Sequence, residues 1–141
     1  MKPDILVMGI CHPGKLDYLN KSLDSVEPIE SIFNKKILAI DQFNGHVFPQ
    51  PFKKKFTAKN WEILIDNHKS RPKSILHAIQ AAESDWVFYT EDDIALEIPN
   101  DFDLNNFIID FDGKQPGMFS LTFGGTQHDL RKNDVGDMAF A

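Results

Sequence analysis

The sequence predicts an α/β fold: a three-layer α/β/α sandwich with a mainly parallel central sheet, carried in a single domain over residues 1–141. Two observations predict it. Short, continuous apolar runs of the kind buried on both faces of a parallel sheet alternate with amphipathic segments of ten or so residues. That alternation implies βαβ units with helices on both faces of the sheet.

The elements follow in order. "DILVMGI" (Asp4 to Ile10) is a buried strand, and "PGKLDYLNKSLDSVEP" is a helix with Leu16, Leu19, Leu23 and Val26 on one face, ended before Pro28. "KKILAIDQF" is a second strand ending at Asp41, and the Pro-, Lys- and aromatic-bearing "NGHVFPQPFKKKFTAKN" reads as an irregular loop. "WEILID" is a third strand. "KSRPKSILHAIQAAES" is a helix with Ile75, Ile79 and Ala82 inward, and Pro72 suits its first turn. "WVFYT" is a fourth strand, expected to be central. A helix through Leu104, Phe107, Ile108 and Phe111, capped by Asp101 or Asp103, leads to a fifth strand, "MFSLTF", while the tail after Gly125 has no clear period.

Composition narrows the function classes. The balance of apolar and charged residues is that of an ordinary globular chain, with twelve phenylalanines for an aromatic core. The net charge of −6 argues against nucleic-acid binding, which needs a basic face. No apolar run reaches transmembrane length, and "MKPDILVMGI" lacks the h-region and cleavage site of a signal peptide. The lone Cys11 cannot form an intramolecular disulfide. A cytoplasmic protein is expected.

Ligands of open parallel sheets bind outside the carboxyl ends of the strands. The groups there are Cys11-His12, Asp41-Gln42, Asn67-His68 and the triplet Glu91-Asp92-Asp93 in "DWVFYTEDDIAL". Three adjacent carboxylates repel one another unless water, a cap or a cation compensates them. One reading is a solvated loop with a capping acid. The other is an oxygen site for Mg²⁺ or Mn²⁺, which takes one or two carboxylates and completes its shell with water and phosphate oxygens. Asp41 is equally a turn residue or an acceptor for a nucleotide. Taken alone, Arg71 is a surface arginine and Lys53 to Lys55 a solvated run. Cys11 has no evident base to activate it, and the histidines lack zinc-ligand spacing. No glycine-rich phosphate loop is present, so a diphosphate here would depend on a metal.

Together, "AIDQF", "SRPKSILHAIQAA" and "WVFYTEDDIAL" resemble, in order and position, the nucleotide-sugar glycosyltransferases of the GT-A fold, especially inverting family 2, over about Asp4 to Gly125. The resemblance implies a metal-dependent, hexosyltransferase-type enzyme that uses Mn²⁺ or Mg²⁺ and a nucleotide diphosphate donor, UDP-sugar favoured, with an unknown acceptor. It gives Asp92 the ribose, Asp93 the metal with Glu91 alongside, Asp41 the base, Arg71 a place near it, and His12 a turn over the nucleotide. The chain departs from the family in length and in the acidic motif that supplies the general base. Asp129 is the candidate base, with Asp134 and Asp137 also available and His128 a candidate later metal ligand. The alternative is a non-catalytic nucleotide or nucleotide-sugar binding domain that lacks a base. A receiver-like domain would need its acids after the first and third strands, and a sugar nucleotidyltransferase would need a glycine- and lysine-rich N-terminal loop.

Overall fold

The structure, a computed structural model, describes residues 2–42, 45–67 and 70–97, with Arg71 described by its backbone alone, together with the backbone strands Met118–Phe119 and Ala139–Phe140. The backbone divides into two compact units, Met1–Asn105 and Asn106–Ala141.

The first unit is α/β, a parallel sheet with three helices. Strands β1 (Asp4–Ile10), β2 (Lys36–Asp41), β3 (Trp61–Asp66) and β4 (Val87–Glu91) form one sheet, all parallel, in the order β3-β2-β1-β4. Helices α1 (Leu16–Val26), α2 (Gln50–Ala58) and α3 (Arg71–Gln80) lie in the crossovers. The register pairs Leu6 with Ile37, Met8 with Ala39 and Ala39 with Leu64, so these side chains share one face. Ala78 of α3 packs there, with Ile75, Ala81, Ala82 and Val87 at its margin. Ile5, Val7, Leu38 and Ile40 occupy the opposite face and are also buried, as are Leu19, Leu23 and Val26 along one stripe of α1. Burial of a large apolar side chain contributes roughly 1.5–3 kcal/mol. Exposed ion pairs such as Lys59–Glu27 are screened by solvent and add little. The two faces of the sheet therefore hold the unit together.

Three expectations need correction. The segment expected to be an irregular loop contains α2. Its prolines sit at and before the first turn, where they do not break a helix. Phe48 then meets Phe52 edge-on at 5.2 Å and Phe52 meets Phe56 at a tilt at 4.7 Å, which anchors the helix through the buried Phe56. Second, β4 is not central: among the described strands it stands at one edge, paired with β1 alone, as β3 stands at the other. Third, β4 runs through Glu91, so the first acid of the triplet belongs to the strand.

Pro28 ends α1 as predicted, although the chain continues as a 3-10 turn over Glu27–Ile32. In the second unit, β5 (Met118–Phe119) falls within the predicted fifth strand. It pairs antiparallel with β6 (Ala139–Phe140), in a tail that showed no period. The predicted helix at Leu104 to Phe111 and its cap lie outside the described residues.

Candidate functional site at the carboxyl edge of the sheet

Backbone pairing persists one residue beyond the strands. Asp92 N donates to Met8 O at 2.9 Å, Cys11 N to Asp41 O at 2.9 Å, and Gln42 N to Asp66 O at 2.7 Å. This aligns the carboxyl ends, so Cys11-His12, Asp41-Gln42, Asn67 and Glu91-Asp92-Asp93 share one edge, as the alternating pattern predicted, and Asp66 at the end of β3 joins them.

The three adjacent acids avoid one another by diverging. Ile94 N donates to Glu91 O at 3.2 Å, closing a turn with Asp92 and Asp93 at its centre. Asp92 folds inward and is 6% exposed, its Oδ2 accepting from Ile10 N at 3.2 Å. Gly9 makes room for it: a Cβ there would lie 2.9 Å from Ile40 Cδ1 and 3.2 Å from Asp92 Cβ. Asp93 is exposed to solvent, and Glu91 is half-buried beside Tyr89, whose hydroxyl donates to Glu91 Oε1 at 3.4 Å. Helix α1 holds the turn from below. Ser22 Oγ donates to Ile94 O at 2.6 Å and to Glu91 O at 3.3 Å, and Ser25 Oγ accepts from Leu96 N at 2.8 Å. Sequence reasoning missed these serines, although Ser22 stands one turn from Leu19 on the buried stripe, where a polar residue needs a partner.

A second group lies on the α3 side. Asp41 and Asp66 end neighbouring strands, are paired in register, and are each 7% exposed. His77 of α3 reaches Asp66, with Nδ1 at 2.8 and 3.0 Å from its two carboxylate oxygens. A carboxylate only accepts, so Nδ1 carries the proton. Asp41 Oδ1 has no hydrogen-bond partner among the described residues, nor has Ser74 Oγ, on a fully buried side chain of α3. Asp66, Ser74 and His77 were not anticipated. The available signal was that "KKILAID" and "WEILID" both end in Ile-Asp, which places two acids at one level once the strands pair in parallel.

The remaining candidates fall in different places. His12 caps the 3-10 turn Pro13–Lys15, its Nδ1 accepting from Gly14 N at 3.0 Å, and its exposed ring meets His46 edge-on at 5.3 Å between centroids. Cys11 is buried, and burial pushes its thiol pKa up, the opposite of an activated nucleophile. Arg71 opens α3 at this edge by its backbone. Lys55 leaves the solvated run to bond Asn20 Oδ1 at 2.7 Å. His68, His128, Asp129, Asp134 and Asp137 lie outside the described residues.

Among the described residues, no three His, Cys, Asp or Glu side chains gather where a metal would be held by protein alone. Asp92 is turned inward, Glu91 lies beside Tyr89, and Asp93 stands exposed at the turn. A lone exposed carboxylate such as Asp93 is at most one ligand to a hydrated cation. None of the described helices is long and apolar enough to cross a membrane. No family model, curated protein or solved structure matches the chain.

Proposed function

We propose that this protein is a GT-A-type, metal-dependent glycosyltransferase that inverts at the sugar carbon, with a nucleotide diphosphate sugar, UDP-sugar favoured, as donor. The observation that carries the reading is the division of labour among the acids at one sheet edge. Asp92 is buried and oriented by Ile10 N, the disposition of a residue that holds a ribose hydroxyl. Asp93 is presented to solvent one residue later, where it would give one carboxylate to Mn²⁺ or Mg²⁺ arriving with the diphosphate. The bound cation would stabilise the charge that develops on the departing diphosphate. Asp41, two strands away across β1, offers to the base an acceptor with no partner among the described residues.

The test is calorimetric titration of UDP and GDP with Mn²⁺ and then EDTA, followed by an assay of diphosphate release from UDP-sugars. Metal-dependent binding with turnover supports the transferase. Binding without release of UDP makes the chain a nucleotide-binding module, and absence of binding returns the triplet to a solvated turn.

A further inference from the structure

The carboxylates described at this edge, Asp41, Asp66, Glu91, Asp92 and Asp93, repel the anion that the proposed donor carries. The sequence holds no glycine-rich loop to cradle that anion. A cation at Asp93 offsets part of the repulsion, but a diphosphate also needs hydrogen-bond donors, and a carboxylate supplies none. Two histidines of the edge loops meet that need.

Topology decides what they face. β1 lies between β2 and β4, so the ends of those two strands stand about 10 Å apart. A ligand that touches Asp41 and Asp93 together crosses the end of β1, where His12 follows the buried Cys11. The loop after β2 brings His46 to it, with ring centroids 5.3 Å apart and planes at 70°. Two features hold His46 in place. Gly45 turns the loop with φ +75°, a conformation that other residues rarely adopt, and the buried Phe48 anchors it two residues later.

The tautomer decides what they bind. Gly14 N donates to His12 Nδ1 at 3.0 Å, so the neutral ring carries its proton on Nε2. A metal ion needs a lone pair on that remaining nitrogen, whereas an anion needs a hydrogen there. The exposed His12 ring offers the hydrogen.

We propose that His12 and His46 form an imidazole clamp for the donor's diphosphate. His12 donates from Nε2 and His46 from its ring N–H, while the cation at Asp93 neutralises charge. The inference rests on the nucleotide-donor reading above.

The experiment titrates UDP, UMP, GDP and GMP, with Mn²⁺ and with EDTA, into the wild type and the His46→Ala, His46→Arg, His12→Asn and Asp93→Ala variants, and melts each unliganded protein. Asparagine at position 12 keeps an acceptor for Gly14 N but loses the reach of Nε2. His46→Ala and His12→Asn should each weaken the preferred diphosphate roughly tenfold or more, with a smaller loss for the monophosphate of the same base. Their melting temperatures should stay close to the wild type's. His46→Arg should recover most of the affinity, because a guanidinium donates well to phosphate. Asp93→Ala should lose the response to Mn²⁺, which both histidine variants keep. Undiminished diphosphate affinity in the histidine variants overturns this inference alone. So does a loss equal for mono- and diphosphate, or one that arginine leaves unrestored. A wild type that binds no nucleotide overturns the donor reading and this inference with it.

Discussion

At the scale of single residues, the acidic turn depends on one absent methyl group. Gly9→Ala would place a Cβ 3.2 Å from Asp92 Cβ and 2.9 Å from Ile40 Cδ1. Ile40 ends in a flexible side chain, but Asp92 is fixed by its bond to Ile10 N. We expect a loss of about 1–3 kcal/mol in chemical denaturation, the usual cost of overpacking, with weaker nucleotide binding as Asp92 is displaced. Asp93→Ala should behave oppositely. The side chain is exposed, so stability should stay within about 0.5 kcal/mol while Mn²⁺-dependent affinity for UDP falls. Equal denaturation midpoints with unequal calorimetric affinities would verify it; retained metal-dependent affinity would remove Asp93 from the site.

At the scale of elements, α1 is both a core helix and the support of the acidic turn. Its buried stripe of Leu19, Leu23 and Val26 was legible from a 4- and 3-residue spacing, because helical periodicity is written locally. Its second role was not legible, since Ser22 and Ser25 find their partners some seventy residues away, at separations of 69, 72 and 71. Replacing Ser22 by alanine should cost about 1 kcal/mol and speed amide hydrogen exchange at Ile94 and Leu96. Unchanged exchange in that turn would show that α1 does not hold it. Helix α2 was hidden for a related reason: prolines and lysines read as loop signals, and the aromatic contacts that seat Phe56 override them.

At the scale of the whole molecule, one buried carboxylate joins distant parts of the first unit. Asp4 is fully buried at the start of β1, accepting from Glu83 N at 2.6 Å, Ser84 N at 3.0 Å and Asn34 Nδ2 at 3.0 Å. Burial pushes its pKa up, but the hydrogen bonds from Ser84, Glu83 and Asn34 together outweigh it and hold the carboxyl below its ordinary value of 3.8. A depressed folded-state pKa stabilises fully above the unfolded value and is lost as pH falls through the folded one. The wild type should therefore lose part of its stability below about pH 4 through this group. Asp4→Asn should be less stable at neutral pH, by roughly 1.5–3 kcal/mol, and show a shallower acid limb. Parallel acid limbs for the two proteins would exclude Asp4 as the source.

The sequence by itself determined the strand–helix alternation, the parallel sheet and the meeting of its strand ends at one edge. These follow from apolar periodicity and from the connectivity that parallel strands require. The Ile-Asp endings were also there to read, but their meaning needed the register that sets Asp41 beside Asp66. Only the tertiary structure decided which acid is buried and which is presented. Asp92 and Asp93 are the same residue type side by side, and what separates them is the turn after Glu91, the space above Gly9 and the serines of α1. Those are contacts between segments far apart in the chain, and no local pattern encodes them.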